Sequence, residues 1–253
     1  MKVSIITIVY NNQDCIQSCI ESVLSQSYSN IEHIVIDGGS SDGTQAVIEP
    51  YLSKLGYYCS EKDSGLYNAL NKGIKNATGD VIGILHSDDF YYDSNVIQNV
   101  ADSFKESAAD LVYGNGMYVT KKDTTTVKRI YKAKPYKKRY LAFGWIPLHT
   151  TIYVKKSVFE SYGYYREDYA IASDYDISLR WFTNTNIKKV FLNKWLVKMR
   201  LGGKSTTAAL QKRKSTEDFK IMKEFKFWSY VTLVFKIARK IPQYALPKFI
   251  KYS

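Results

Sequence analysis

"VSIITIVYNNQDCIQSCIESVLSQ", residues 3–26, is the stretch on which the fold turns. It opens on a β-branched, almost unbroken apolar run, Val3 to Tyr10, which is the signature of a strand buried on both faces. The chain then changes period. Ile16, Cys19, Ile20, Val23 and Leu24 fall on one helical face, with Asp14 placed to cap the helix.

The same alternation continues outward. "IEHIVID" (31–37) reads as a second strand, followed by a helix from Asp42 that carries Val47, Ile48, Tyr51, Leu52 and Leu55 and stops at Gly56. "YYCSE" (57–61) is a short third strand before a helix from Ser64, and "GDVIGILHSDD" (79–89) is a fourth strand ending on two carboxylates. Buried strands separated by helices predict an α/β fold with a mostly parallel central sheet flanked by helices. In such sheets ligands bind beyond the carboxyl ends of the strands. Past "DLVYGNGMYV" (110–119) the pattern weakens, and Lys121 to Arg139 reads as an exposed hairpin or a mobile loop. "HTTIYVKKSVFESYG" (149–163) and "DYDISLRWF" (174–182) restore a strand and two helices.

The chain has 253 residues, 45% of them hydrophobic, enough for one large domain or one domain with an appendage. Its net charge of +12 is uneven, because Lys204 to Ser253 hold twelve basic and three acidic residues. Cys15, Cys19 and Cys59 include no C-x-x-C pair and read as reduced thiols, which with the lack of a signal-peptide pattern points to a cytoplasmic protein. The basic tail, residues 206–253, is interleaved with aromatic and aliphatic side chains. Its longest uncharged run, Phe227 to Phe235, falls far short of the roughly 20 residues that span a bilayer. A basic amphipathic helical segment lying on a membrane is therefore expected, with Lys220, Lys223, Lys226, Lys236, Arg239 and Lys240 toward headgroups and Phe227, Trp228, Val231 and Phe235 toward acyl chains. A helix packed on the rest of the protein is the other reading.

The sheet model sends Tyr10, Asn11, Asp37, Glu61, Asp63, Asp88 and Asp89 to one rim. Singly, each acid is accounted for as a cap or a turn residue. Together they repel one another and call for a cation; oxygen ligands suit Mg²⁺ or Mn²⁺ shared with a substrate phosphate. There is no G-x-x-x-x-G-K-[ST], and "DGGSSDGT" (37–44) is not a G-x-G-x-x-G dinucleotide loop.

The ordered motifs "SIITIVYNN", "VIDGGSSDGT", "SEKDSGLYNALNKGI", "GDVIGILHSDD", "PLHTTIYVKKSVFESYG" and "ASDYDISLR" resemble the inverting glycosyltransferases of family 2, with the Rossmann-like GT-A fold. The resemblance covers about residues 3 to 205, and "DSGLYNALNKGI" with "RLGGKST" is most similar to bacterial O-antigen, colanic acid and capsule enzymes. It implies a catalytic domain at 1–205, its nucleotide-sugar half about 1–119 and its acceptor half about 120–205. It also implies transfer of one hexose, β-linked, from a UDP-sugar, UDP-glucose or UDP-galactose, and no nucleic-acid partner; the membrane-surface tail adds the expectation of a membrane-bound acceptor, a GlcNAc or GalNAc on undecaprenyl diphosphate at the cytoplasmic face of the inner membrane. Matching positions are Thr7, Val9 and Asp37 at the uracil, Asp63 and Lys72 by the ribose and base, Asp88 toward the ribose or sugar, and Asp89 on the metal. Ser87 stands at the first position of the family's D-x-D, so Asp89 is the one direct carboxylate ligand this pattern offers. Asp174 matches the base, with Ser173 replacing the usual Glu, and Asp176 competes for the role. His149 is either a structural hydrogen-bonder or a residue near the metal or diphosphate. Arg200 and Lys204 form either a loop closing on diphosphate or a surface turn. Ile177 replaces the Gln of the Q-x-x-R-W motif of processive synthases, which implies a single addition.

Two rival readings remain at this stage. One is a non-catalytic nucleotide-sugar-binding or membrane-scaffold protein of the same fold, which would keep its role after Asp174→Asn. The other is a sugar-phosphate nucleotidylyltransferase, which needs a Gly-rich basic loop where this chain has "YNNQDC".

Overall fold

Strand β1 (Val3–Val9) is buried along its whole length and organises everything around it. It pairs in parallel with β2 (Ile31–Asp37) on one side and β4 (Val81–Ile84) on the other, and β2 pairs in parallel with β3 (Tyr57–Ser60). The computed structural model describes residues 1–202 and 208–249. Beyond β4 the sheet becomes mixed. The remaining strands are β5 (Asp89–Tyr91), β6 (Leu111–Val119), β7 (Val127–Tyr131), β8 (Ile152–Lys155) and β9 (Lys189–Arg200). The path runs β3-β2-β1-β4-β8-β6-β9-β5, with β7 on β6; β8 is antiparallel to β4 and β6, and β5 is antiparallel to β9.

Strand alternation sorts the helices. Val3, Ile5 and Val9 face the layer of α1 (Gln13–Leu24), α2 (Thr44–Ile48) and α4 (Val96–Ser107). Ile6 and Ile8 face α3 (Leu66–Asn76), in a larger cluster that also takes in α6 (Lys156–Tyr162) and α7 (Ser173–Thr183). At Gly73 a Cβ would lie 2.5 Å from the Ile6 side chain, so the glycine is what lets α3 sit on the sheet.

Several boundaries differ from the sequence reading. Asn12, not Asp14, precedes α1; Asp14 lies in the first turn, where its charge suits the helix dipole and meets Lys121 at 3.1 Å. Asp42 does cap its turn, accepting from the Thr44 N–H at 3.0 Å, but α2 ends at Ile48 and continues as a 3₁₀ turn over Glu49–Lys54, because Pro50 has no N–H to offer an α-helix. The segment 121–139 contains the second arm of a hairpin, β7. Strands β5 and β9 had no clear sequence signal, since β9 mixes three lysines with its apolar residues. Cys15 and Cys19 are buried and Cys59 is half-buried, all three as free thiols.

The tail folds as α8 (Ala208–Glu224), α9 (Ser229–Ala238) and α10 (Lys240–Ala245). Ile221 and Met222 are fully buried in the cluster that holds Tyr67, Trp145 and Tyr175, and the Thr232 hydroxyl donates to the Ala142 carbonyl in α5 (Arg139–Ala142) at 2.8 Å. The change of composition near residue 205 is therefore no break in packing. Lys236 was expected among headgroups; it is instead half-buried, 2.8 Å from Asp218 and 3.3 Å from the Tyr175 ring centre. No helix among the described residues is long and apolar enough to cross a membrane.

Candidate active site

The parallel register brings Val9, Asp37 and Ser60 side by side at one rim. Asn11 bends the chain out of β1 in a left-handed conformation (φ 49°), takes the Ser41 N–H on its side chain at 2.9 Å, and gives its own N–H to Ser40 at 2.8 Å. Asp37 is buried and accepts from the Ser40 N–H and hydroxyl and from the Ser60 hydroxyl. Lys72, from α3, reaches Asp63 at 2.6 Å and Glu61 at 2.5 Å, and their two carboxylates raise its pKa against the opposing effect of burial. A Cβ on Gly38 would lie 3.3 Å from an Asp63 oxygen and 3.5 Å from the Tyr10 ring, so Tyr10, Gly38 and Asp63 lie together at the rim.

These contacts correct the collective-repulsion argument. Asp37, Glu61 and Asp63 each have local partners and need no metal. The problem narrows to Asp88 and Asp89. Asp89 is 1% exposed and, among the described residues, its Oδ2 has no hydrogen-bond partner, while Oδ1 accepts the Arg200 N–H at 3.3 Å. Burial, then the neighbouring Asp88 charge, pushes its carboxyl pKa well up. An orphaned, buried carboxylate oxygen beside a second carboxylate fits a hard divalent cation held by one protein oxygen plus donor phosphates. No group of three or more His, Cys, Asp or Glu side chains gathers as a full protein cage among the described residues.

Arg200 ends β9 against this pair. Its guanidinium donates to the Asp88 carbonyl at 2.8 Å and the Ser18 hydroxyl at 3.0 Å, and lies 4.5 Å from the Phe90 ring centre. Ser87, at the unusual D-x-D position, accepts from the Asn12 amide at 2.9 Å and so ties the β4 end to the β1 loop. Lys204 lies outside the described residues.

Asp174 sits in the first turn of α7, with His149 Nδ1 3.4 Å from its Oδ2. His149 Nε2 is 2.8 Å from His86 Nε2, so the imidazole bridges the end of β4 to the candidate base. Burial lowers His149 to about 4, outweighing Asp174, so it is neutral at pH 7. Burial pushes the Asp174 carboxyl up, but the Lys214 charge foremost, with His149 and Lys236, holds it below the ordinary range. Asp176 is occupied elsewhere: buried, 3.0 Å from Arg180 and 3.7 Å from Arg166, it ties α7 to the preceding loop.

The side chains of Thr7 and Val9, expected at the uracil, point into the protein. Thr7 is fully buried, its hydroxyl 2.9 Å from His33 Nε2, and Val9 packs with Ile16 and Ile20. Neither side chain has surface for a uracil, because odd positions of β1 face α1. Tyr10, 53% exposed, is the side chain at the rim. Sequence reasoning also passed over the part played by His86, which stands beside the acidic pair, and by Lys214, whose place by Asp174 depends on the tail returning to the site.

A family model described as Glycosyl transferase family 2 matches residues 4–162. An uncharacterized glycosyltransferase of Mycobacterium tuberculosis is 33% identical over 181 residues, covering 70% of this chain and 68% of its own length. A PGL/p-HBAD biosynthesis glycosyltransferase of Mycobacterium bovis is 28% identical, covering 72% and 70%. Among solved structures, S. aureus TarS superposes with a TM-score of 0.68 at 18% identity, over 88% of this chain but 39% of that one. A mannosyltransferase of Pyrobaculum calidifontis, solved with GDP-Man and Mn²⁺, gives 0.69 at 15% identity, over 97% of this chain and 73% of that one. These likenesses establish the GT-A architecture.

Proposed function

The chain belongs to glycosyl transferase family 2, and from that premise we propose that it is an inverting, non-processive hexosyltransferase. The donor is a UDP-sugar, UDP-glucose or UDP-galactose. The acceptor is a sugar on undecaprenyl diphosphate, and the product a β-linked step of bacterial surface polysaccharide, O-antigen in type. The observation that carries the reading is the pairing of an orphaned Asp89 oxygen at the start of β5 with a charged Asp174 connected through His149 to His86, in the turn between β4 and β5. TarS has been solved with UDP-GlcNAc, which supports a UDP-sugar here.

In this mechanism Tyr10, Asp37 and Asp63 bind the nucleoside, with Lys72 fixing Asp63, and Asp88 contacts the ribose or sugar. Arg200 lies toward the diphosphate. Mn²⁺ or Mg²⁺ held by Asp89 would supply positive charge to the departing diphosphate. Asp174 removes the proton from the acceptor hydroxyl as its oxygen bonds to the sugar C1 from the side opposite UDP, and the C1–O bond breaks with its electron pair on UDP. His149 aligns Asp174 for that transfer; its neutral imidazole leaves the base charge intact.

The tail supports a peripheral membrane position. Trp228, Tyr230, Val234, Ile237 and Ile241 are exposed along α9 and its flanks, with Lys223 and Lys226 exposed beside them. An apolar row with flanking cations fits the cytoplasmic leaflet of the inner membrane, where a lipid-linked acceptor is presented. Incubation with Mn²⁺, a panel of UDP-sugars and an undecaprenyl-diphosphate-linked GlcNAc or GalNAc, read by mass spectrometry, is expected to add one hexose. Transfer only from a GDP or dTDP donor would refute the nucleotide assignment.

A further inference from the structure

The helix bearing Asp174 is fastened from outside by the C-terminal segment. Ala170, Ile171 and Ala172 lead into α7, and all three N–H groups donate to one side chain, Glu217 of α8, at 3.1, 3.0 and 3.0 Å. On the inner side Tyr67 of α3 donates to the Ile171 carbonyl at 2.7 Å and accepts from the Asp174 N–H at 3.3 Å. The base is thus gripped between a tyrosine of the nucleotide half and a carboxylate of the tail.

The grip uses one face of α8. Lys214, Glu217, Asp218, Ile221 and Met222 recur at helical spacing. Ile221 and Met222 anchor the face in the core, Asp218 pairs with Lys236, and Arg213 holds the outer side of Glu217 at 3.1 Å. Burial alone would raise the Glu217 carboxyl, but the three N–H groups and Arg213 hold it below the ordinary range, so it is an anion at neutral pH. Charge-assisted bonds to backbone N–H groups are the stronger class of hydrogen bond, and three on consecutive residues fix the direction in which α7 starts.

We propose that Glu217 is a positioning residue for the base: by holding residues 170–172 it orients the first turn of α7 and hence the Asp174 carboxylate toward the acceptor. The inference rests on the reading of Asp174 as base. A small displacement of a base costs turnover far more than donor binding.

The test compares full-length wild type, Glu217→Ala, Glu217→Gln and Asp174→Asn, using Mn²⁺, the active UDP-sugar and the lipid-diphosphate acceptor, alongside amide hydrogen exchange. For Glu217→Ala, kcat is expected to fall about ten-fold while the donor KM stays within about two-fold, with faster exchange confined to residues 170–172. In Glu217→Gln the one carbonyl oxygen can take the place of Oε2 and keep the Ile171 and Ala172 bonds, while the amide NH2 faces the Ala170 N–H and Arg213, so part of the rate should return. Wild-type kcat in Glu217→Ala, no recovery in Glu217→Gln, or exchange raised throughout the protein would overturn the inference. Full activity in Asp174→Asn, or a wild type inactive with every donor, would instead overturn the proposed function and the inference with it.

Discussion

At the scale of single residues, burial separates two neighbouring acids. Asp89 is enclosed and orphaned on one oxygen, while Asp88 is half-buried with its carbonyl on Arg200. Because the folded pKa of Asp89 lies above its ordinary 3.8, the metal-free protein gains most from that residue below 3.8 and loses the gain as pH rises through the folded value. Mn²⁺ competes with protons for that carboxylate. Its affinity, measured by calorimetry, should therefore fall when pH is lowered from about 7.5 to about 5.5. Asp89→Asn should abolish Mn²⁺-dependent turnover yet raise the metal-free Tm by roughly 2–4 °C, whereas Asp88→Asn should chiefly raise donor KM. Equal, mild effects from both would contradict the division. Tyr10→Ala should likewise weaken the donor by about ten-fold through lost stacking, and Thr7→Val should leave donor KM unchanged.

Among the elements, β1, β2 and β4 with helices α1 and α3 were readable because each is buried on both faces or along one stripe, and period alone then identifies it; β3 is a short, half-buried edge strand. The helix boundaries were less so, since Pro50 and Asn12 act through local backbone geometry that hydrophobic pattern does not show. Strand β9 escaped notice because it pairs with β6 in parallel and with β5 at the edge while carrying lysines. One polar knot holds the far end of the parallel sheet. Burial raises Glu32, but bonds from Lys2, Ser4 and Thr78 outweigh it and bring its pKa down to about 2. Its stabilisation is complete above its ordinary 4.5 and disappears as pH falls through about 2. Glu32→Gln should thus cost about 1–3 kcal/mol at neutral pH and converge with wild type in acid, as read by denaturant unfolding at several pH values. A Cβ at Gly83 would lie 2.4 Å from the Tyr153 ring where β4 meets β8, so Gly83→Ala should cost about 1–3 kcal/mol.

For the whole molecule, the tail matters twice, as part of the core and as an exposed apolar face. Its composition announced the second role; the first was illegible because no local pattern in α8 says that Ile221, Met222 and Glu217 return to a helix some forty residues earlier. Met222→Ala should cost about 2–5 kcal/mol, as for an interior position; a loosely attached membrane segment would change by no more than about 0.5 kcal/mol. Serine at Trp228, Val234 and Ile241 should abolish cosedimentation with anionic vesicles while leaving Tm close to wild type. The central claim is that Asp174 is the base for a single inverting transfer. It is tested most directly by following Asp174→Asn on the active donor in the presence of Mn²⁺, with the product anomer read by NMR. A β-linked product from wild type and a loss of roughly 10²–10⁴ in kcat with unchanged donor binding is expected; an α-linked product, or an Asp174→Asn enzyme at the wild-type rate, would contradict it.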